Sequence, residues 1–461
     1  MIIMHRYVYM VGAIYILINA ILLVIAPYDV HLAQGADAGS WYMPALALLK
    51  HGSFVTLSDP AVLQTYRPPL YPMYEAFMLY VGDGNIVSII IGQIILLWLV
   101  GIITYKIVEN ILPKKGVAGL VLVVFNPNAL GTAHLVQSDI LYMFMVTVTL
   151  YYLLQYANKG DFKLSLMIGL LFGLACLVRP SGQYLIPLFP LIYIIIGILK
   201  KSNQSFAIHL FYGLLSVIIS IAVVFPWAQH NASAGWGHNL ATSKIETIYF
   251  RDNVIYLESI LGNKSLNDAG KEVSKNEQDY IFSYADKWLR MSEQDRSLVI
   301  ASYYKRQLFT YDYKTITIGF IDSWIGLFGA GGAANLHNLL ALDGGRSVQV
   351  MADSEEHVSR FNAVLSTLLG SDLITIVISS LSFIYVIILR IFGLVGLIKM
   401  IKNKEYSLLF VLIGIITYFV LIALFVGNSR YRLPIEPALI IMAVYGFSTL
   451  IRSRRRTDGF Q

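Results

Sequence analysis

The sequence predicts an all-α, polytopic membrane protein with about ten transmembrane helices. Hydrophobic residues make up 57% of its 461 residues and charged residues only 13%, which is too apolar for an ordinary soluble protein. Nearly uncharged runs of about 17 or more residues recur, each long enough to cross about 30 Å of hydrocarbon. The net charge of +6 needs no nucleic-acid partner, because cations are expected at the cytoplasmic ends of spans.

The apolar runs give the predicted spans in chain order. Their approximate bounds are 8–26, 85–108, 117–134, 139–156, 163–178, 183–199, 206–226, 373–398, 406–426 and 433–451. An even number of spans places both termini on the same side. Lysine and arginine are concentrated at the ends assigned to that side, as at Lys114, Lys115, Lys200 and Lys201, which predicts that both termini are cytoplasmic.

The distribution of charge divides the chain into three parts. Residues 1–226 form an N-terminal transmembrane module with a first outer loop at 27–84, and residues 373–461 form the C-terminal transmembrane helices. Between them, charges return at 227–372, which predicts a mostly α-helical insertion outside the membrane. Ser292 and Asp295 have the spacing of a capping box, so a helix is expected to begin there.

Two short features have less certain structural meaning. Arg390 lies near the inner end of the eighth predicted span, where its side chain either extends to the membrane surface or marks a shorter span followed by an interfacial turn. The glycine-rich segment Gly329–Gly332 lacks the Gly-Lys-Ser/Thr that would follow in a nucleotide-binding loop, so we interpret it as a flexible turn.

Polar residues from distant parts of the chain gather at the predicted outer membrane boundary. They are Asp37, Arg67, Asp139, Arg179, His230, Asn231, Arg430 and Arg432. Ionisable groups near hydrocarbon cost about 2.5–3.5 kcal/mol at the centre of a span and less near the interface, so they usually pair or serve a site. Arginines suit a phosphate, and a carboxylate without an obvious partner suits proton abstraction.

Simpler interpretations of these residues remain open. Asp37 precedes a short apolar run that is predicted to lie at the membrane interface, and it could cap that helix. Asp139 follows Ser138 at the start of a span and could be a cap as well. Arg67 and Arg179 could anchor their segments at the lipid headgroups.

Several motifs together resemble the GT-C fold glycosyltransferases. They are Asp37 in the first outer loop, Lys50-His51-Gly52, Tyr66-Arg67-Pro68-Pro69-Leu70-Tyr71-Pro72, Leu177-Val178-Arg179-Pro180-Ser181-Gly182, Pro226-Trp227, and Arg430-Tyr431-Arg432-Leu433-Pro434-Ile435-Glu436-Pro437. The chain is most similar to bacterial relatives of the protein O-mannosyltransferases and the lipid A aminoarabinose transferases. Each motif is weak alone, but their order extends the resemblance over nearly the whole chain.

The resemblance implies a role for each matching residue. Asp37 would be the general base that removes a proton from an acceptor hydroxyl, and Asp139 would orient the acceptor or belong to the base network. Contacts with the donor phosphate would come from basic residues: Arg67, Arg179, His230, Arg430 and Arg432. Further substrate contacts would come from Tyr66, Tyr71, Asn231 and Tyr431.

The chain departs from its relatives at two positions. Many of them have an arginine where this chain has His230, so a phosphate contact there is either lost or dependent on pH. The aminoarabinose branch has an acidic metal ligand where this chain has Tyr66. The sequence therefore requires no cofactor, although a divalent metal is not excluded.

The expected function is transfer of a sugar, with inversion, from a polyprenyl phosphate such as undecaprenyl phosphate. The acceptor would be a periplasmic glycan, lipid or protein hydroxyl, and membrane lipids would surround the enzyme in a bacterial inner membrane. The alternatives are a flippase or transporter of lipid-linked glycans and a polymerase of such glycans. A transporter would place polar residues within the membrane or on both faces.

Overall fold

The protein is all-α, as predicted. A computed structural model describes residues 2–26, 37–340, 347–369 and 371–457, and residues 27–36 of the predicted first outer loop lie outside the described part. In those ranges the only β-pairing is a single bridge between Val55 and Leu63. The helices are numbered α1 to α22 in chain order.

The N-terminal part contains ten helices among its described residues. These are α1 (Ile2–Ile25), α2 (Ala38–His51), α3 (Leu70–Val81), α4 (Val87–Ile111), α5 (Gly116–Val124), α6 (Pro127–Ala133), α7 (Asp139–Lys159), α8 (Phe162–Val178), α9 (Phe189–Leu199) and α10 (Phe206–Ser233). A 3₁₀ segment, Pro180–Leu188, leads into α9. The short helices α2 and α3 lie in the first outer loop, between the two long apolar helices α1 and α4.

The remaining helices belong to the insertion and to the C-terminal part. The insertion has α11 (Ser243–Leu261), α12 (Leu266–Phe282), α13 (Ala285–Trp288), α14 (Glu293–Gln307), α15 (Tyr313–Trp324), α16 (Ala334–Leu339), α17 (Ser347–Asp353) and α18 (Arg360–Leu369). The C-terminal part has α19 (Leu373–Lys402), α20 (Tyr406–Ala423), α21 (Ser429–Arg432) and α22 (Glu436–Thr457). Ser292 accepts a hydrogen bond from the backbone N–H of Asp295, which confirms the predicted start of α14.

A helix lies at each of the ten predicted span positions, but not every one has the length and apolarity of a span. Among the described residues, seven helices are long and apolar enough to cross a membrane, or eight if α5 and α6 form one broken span. The helix α8 has only 17 residues. The protein is a multi-pass membrane protein, and the number of ten spans stays a prediction.

The third predicted span is bent by 55° between α5 and α6. Asn126 is extended and its side chain accepts hydrogen bonds from the backbone N–H groups of Asn128 and Ala129. Pro127 occupies the first turn of α6, where it has no N–H to donate to the preceding helix. The Asn-Pro pair therefore ends one helix and begins the next at the same point.

The helices α8 and α10 run parallel and pack through small residues. Ser216 donates to the carbonyl of Ser165 and Ser220 to that of Gly169, both at 2.9 Å. A side chain at Gly169 would meet the backbone oxygen of Ser216 at 2.7 Å, so the close approach requires a glycine. Small residues and interhelical hydrogen bonds are the usual means of packing helices in membranes. This pair supports Arg179 and His230 at neighbouring helix ends.

Arg390 takes part in a buried ionic network, which corrects both interpretations of this residue. The helix α19 continues through Arg390 without a turn, and its guanidinium lies 3.6 Å from Glu436. Glu436 also pairs with Arg432, and both of those side chains are fully buried. Arg432 donates to the carbonyls of Leu327 at 2.6 Å and Ala330 at 2.8 Å.

This network also fixes the glycine-rich segment at 329–332. Arg432 holds the Ala330 carbonyl, and Gly332 has a φ of +79° with its Cα packed against Asn128. A Cβ at Gly332 would lie 2.3 Å from the Asn128 side chain. The segment is packed at Gly331 and Gly332, against Ser382 and Asn128, and its predicted flexibility stays a prediction.

Replacing Glu436 with glutamine should destabilise the protein strongly. The change leaves Arg390 and Arg432 buried without a counter-charge, and breaking a buried ion pair in this way costs about 3–5 kcal/mol. Thermal unfolding in detergent measures the effect, and Glu405→Gln is the matched control because Glu405 is exposed. Equal melting temperatures for the two variants would show that the network does not stabilise the fold.

Candidate active site

Five charged side chains from four parts of the chain meet at one end of the helices. Asp37 and Arg67 come from the first outer loop, Asp139 begins α7, Arg179 follows α8, and Arg430 lies in α21. We call these five residues the charge cluster. Most of the basic and acidic residues predicted for the site belong to it.

Asp37 forms ion pairs and does not cap a helix. It occupies the N-cap position of α2, but its side chain makes no capping hydrogen bond. Its Oδ2 accepts a hydrogen bond from Nη1 of Arg430 at 2.8 Å, and its Oδ1 lies 3.4 Å from Nη2 of Arg67. The side chain remains 41% exposed, so one side of the carboxylate is open to a substrate.

Asp139 is paired on both oxygens and completely buried. Its Oδ2 accepts from Nη2 of Arg179 and from Nε of Arg430, each at 3.0 Å, and its Oδ1 lies 2.7 Å from Nη1 of Arg179. The side chain is 0% exposed. The predicted role of Asp139, in orienting the acceptor or in the base network, stays a prediction, and its burial favours the base network. The capping interpretation is wrong, since Asp139 follows the N-cap position.

Arg430 bridges the two carboxylates, and several contacts hold its backbone. Asn428 is the N-cap of α21, and its side chain accepts from the Arg430 N–H at 2.9 Å. Asn128 at the start of α6 donates to the carbonyl of Ser429 at 2.6 Å. From the insertion, Asn253 accepts from the Phe425 N–H at 2.9 Å. The insertion and the membrane part thus position the same loop.

Arg67 lies between aromatic rings and the first turn of α2. Its guanidinium carbon is 4.5 Å from the centroid of Trp41 and 4.9 Å from that of Tyr66. Its Nε donates to Ser40 Oγ at 2.9 Å. A cation over a ring gains about 0.5–2 kcal/mol, so these contacts hold the guanidinium beside Asp37.

The arginines change the acidity of Asp37. Burial opposes ionisation, but the charge and hydrogen bond of Arg430, followed by the charges of Arg67 and Arg179, outweigh it and lower the pKa of Asp37 below its usual value. Burial would also lower the pKa of Arg430, yet Asp139 and Asp37 raise it above its usual value. Both side chains are therefore charged at neutral pH.

Asp252 on α11 is an acidic neighbour that the sequence analysis missed. Burial first, and then the charge of Asp37, raise the pKa of Asp252, while Arg251 opposes the shift. Asp252 also influences Tyr431, whose pKa is raised mainly by burial. The helix α11 therefore borders the charge cluster, and no motif in the sequence linked it to the first outer loop.

Three predicted site residues are not presented to a substrate. Arg432 is fully buried in its pair with Glu436, so the structure does not support its predicted contact with the donor phosphate. Tyr71 is fully buried and donates to Gln93 at 2.9 Å. Asn231 is also fully buried and donates to the carbonyl of Asn239 at 2.7 Å. Their predicted contacts with substrate stay predictions.

His230 lies against the first outer loop, where it links α10 to that loop. Its ring is stacked on Trp227 at 4.6 Å between centroids, and Nε2 is 2.9 Å from the carbonyl oxygen of Gln64. His230 therefore contacts the chain at Gln64, which is three residues before Arg67. A role in phosphate binding stays a prediction.

The arrangement uses polar residues that the sequence analysis did not single out. Ser138 accepts from Nε of Arg179 at 2.9 Å, as Ser40 does from Arg67. Asn428 could have been found, because an asparagine two residues before Arg430 is a typical N-cap signal. Within the described ranges, no group of three or more His, Cys, Asp and Glu residues is placed to hold a metal ion.

The comparisons with known proteins agree with this architecture. Residues 66–227 match the family model described as dolichyl-phosphate-mannose-protein mannosyltransferase. This segment contains Arg67, Asp139 and Arg179 but neither Asp37 nor Arg430. No curated protein matches the sequence.

Solved structures of the Archaeoglobus fulgidus oligosaccharyltransferase share the fold. The apo form superposes with a TM-score of 0.52 at 13% identity, over 98% of this chain and 52% of that one. The form tethered to an acceptor peptide with the NVT sequon gives a TM-score of 0.50 at 12% identity, over 97% and 50%. The chain resembles the GT-C fold glycosyltransferases. It spans about half the length of these GT-C proteins.

The stability contributed by Asp37 should depend on pH. Its pKa is lowered in the folded protein, so the contribution is complete above the unfolded-state pKa of about 4 and is lost as the pH falls through the folded-state pKa. We expect Asp37→Asn to lower the melting temperature at about pH 5 to 7 and the difference from wild type to shrink below about pH 4.

Thermal unfolding in detergent across this pH range measures the difference. Asp83→Asn is the control, because Asp83 is exposed in the same outer region and its positive φ of 51° suits asparagine. A difference between wild type and Asp37→Asn that is constant with pH would contradict the assigned ion pairs.

Proposed function

We propose that the protein is an inverting glycosyltransferase that takes a sugar from a polyprenyl phosphate and transfers it to an acceptor hydroxyl. Its active site is the charge cluster, at the periplasmic face of a bacterial inner membrane, with both termini in the cytoplasm. The resemblance to the GT-C fold glycosyltransferases supports the reaction class. The acceptor is a periplasmic glycan, lipid or protein.

The main support for this proposal is that Arg430 bridges two carboxylates whose exposure to solvent differs. Asp37 and Asp139 share this arginine, but Asp37 is 41% exposed and Asp139 is 0% exposed. A general base must come within hydrogen-bond reach of the proton that it removes. Only Asp37 of the two meets that requirement, so it is the base and Asp139 is a positioning residue.

The charge of the cluster suits a phosphate. Three guanidiniums, of Arg67, Arg179 and Arg430, and two carboxylates, of Asp37 and Asp139, leave one net positive charge. The phosphodiester of a polyprenyl-phosphate sugar carries one negative charge, which would neutralise the cluster. Arginine is well suited to this contact because its planar fork matches phosphate oxygens.

The proposed reaction is a single displacement. The acceptor oxygen attacks the anomeric carbon, its proton passes to Asp37, and the bond between that carbon and the phosphate oxygen breaks with its electron pair moving to the phosphate. The attack comes from the side opposite the phosphate, so the anomeric configuration inverts. Arg67 and Arg430 stabilise the charge that develops on the leaving phosphate, as fixed cations do in a preorganised site.

The ion pairs of Asp37 imply that binding of the donor would change the pKa of this carboxylate. The charges of Arg430 and Arg67 lower the pKa of Asp37, which makes it a weaker base. A donor phosphate would compete for the same guanidiniums. Its binding would loosen their hold on Asp37 and raise the pKa of this carboxylate, because fewer cationic contacts would then favour its ionised form.

Replacing Asp37 with asparagine should reduce transfer by about 10²–10⁴-fold, because asparagine keeps the size of the side chain but cannot accept the proton. The measurement uses membranes that contain the variant, radiolabelled polyprenyl-phosphate sugars and a crude envelope extract as acceptor. Asp83→Asn provides a matched control and should transfer at the wild-type rate.

Two outcomes would contradict the proposal. Unchanged transfer by Asp37→Asn would show that another acidic residue is the general base. If the wild type consumes no donor, but labelled lipid crosses the membrane of sealed vesicles, the protein is a flippase. The anomeric configuration of the labelled product, compared with that of the donor by NMR, tests inversion separately.

Replacing Arg430 with lysine should lower transfer by about ten- to a hundredfold, the loss expected for one charge-assisted hydrogen bond. An ammonium lacks the fork geometry that lets Arg430 contact Asp37 and Asp139 together. Arg290→Lys is the control, since Arg290 is exposed in the insertion. Full activity of Arg430→Lys would show that the bridge is not needed.

A further inference from the structure

A shallow, open basic groove lies on one face of α12 in the insertion, beside Arg251 of α11 and apart from the charge cluster. It has a volume of about 540 Å³. Its principal lining residues are Arg251, Asn267, Lys271, Ser274, Lys275 and Gln278. On α12 these residues follow a spacing of three or four, which places them along one face of the helix.

The groove is lined by cations, amides and a serine, and two carboxylates at its margin, Asp268 and Asp353, are bonded to Lys271 and Asn267. The carboxylates of Glu272 and Glu277 on the same helix have partners elsewhere, in Lys264 and the hydroxyl of Tyr304. Amides and ammonium groups in a groove are the donors and acceptors that sugar hydroxyls and acidic groups require.

The cations of the groove differ in how far they are already paired. Arg251 supplies positive charge at the α11 side, although its Nη2 donates to Ser274 at 2.7 Å and its Nε is buried. No hydrogen bond or ion pair joins Lys275 to the described part of the chain. Lys271 pairs with Asp268 at 2.7 Å, but both side chains are more than half exposed, and an exposed pair of this kind is weak.

The position of α11 connects the groove to the charge cluster. Arg251 lines the groove, the next residue, Asp252, is close enough to Asp37 for their charges to interact, and Asn253 binds the Phe425 N–H. From Asn267 to Gln278 the groove follows α12 for about 16 Å, at about 1.5 Å per residue. A ligand on Arg251 would therefore lie close to the part of α11 that contacts the loop before Arg430.

We propose that this groove binds an acidic saccharide segment of the acceptor, with its carboxylate or phosphate groups on Arg251, Lys271 and Lys275. The proposal rests on the proposed function, because it names the class of substrate that the charge cluster would glycosylate. The exposed amide of Gln278 contacts sugar hydroxyls. Asn267 donates to Asp353 at 3.1 Å, so its carbonyl oxygen is the atom that contacts a sugar hydroxyl.

Direct binding tests the proposal without an identified acceptor. The purified protein, in nanodiscs of phosphatidylcholine, is titrated with a fluorescent oligogalacturonate and with a neutral maltooligosaccharide of equal length. We expect the acidic probe to bind more tightly and Lys271→Gln/Lys275→Gln to weaken its binding about tenfold. Binding of the neutral probe should not change.

A charge-matched control distinguishes binding in the groove from the overall electrostatic attraction of the insertion for an anion. Lys305→Gln/Lys314→Gln removes two exposed lysines outside the groove and should leave binding of the acidic probe within about twofold of wild type. Equal losses in both double variants would overturn the proposal, as would equal binding of the acidic and neutral probes.

The same titration in nanodiscs with phosphatidylglycerol tests a lipid headgroup as the occupant. If anionic lipid abolishes binding of the acidic probe, the groove binds headgroups and the proposal is overturned. Failure of the proposed transferase function would appear separately, as an absence of donor consumption in the wild type. Probe binding would then remain, because it requires no donor.

Discussion

The ionic bridge from Arg430 to Asp37 and Asp139 is the interaction on which the candidate site depends. It joins residues that are 393 and 291 positions apart in the chain. Asp139 has no exposure to water, so it is tolerated as an anion only while Arg179 and Arg430 compensate it. The bridge therefore requires the first outer loop, α7, α8 and the C-terminal loop to come together.

The fold supplies rigid supports for each partner of this bridge. The closely packed pair α8 and α10 ends near Arg179 and His230, and the bend at Asn126–Pro127 brings Asn128 to the carbonyl of Ser429. The insertion holds the loop before Arg430 from the other side through Asn253. The buried pair of Arg432 and Glu436 follows immediately. These supports explain how a site on loops can be preorganised for electrostatic catalysis.

The helices and the basic and acidic residues of the site were predictable because apolar runs and isolated charges leave clear signals in sequence. Partners were not. Arg430 and Arg432 look alike in the sequence, yet one reaches the charge cluster and the other is buried against Glu436. The effect of the Asp37 charge on Asp252 depends on how the insertion folds back, which no local pattern encodes. Tyr71 and Asn231 were predicted from motifs, but packing buries both of them.

A structure with a non-reactive phosphonate analogue of a polyprenyl-phosphate sugar would test the site most directly. It should show the phosphonate on Arg67 or Arg430, with Asp37 facing the anomeric carbon from the opposite side. The structure also has a cavity of about 210 Å³ whose lining includes Lys200 and Glu405. Lys200 belongs to the predicted cytoplasmic side. A phosphonate bound there, with the charge cluster unchanged, would contradict the assignment of the cluster as the active site.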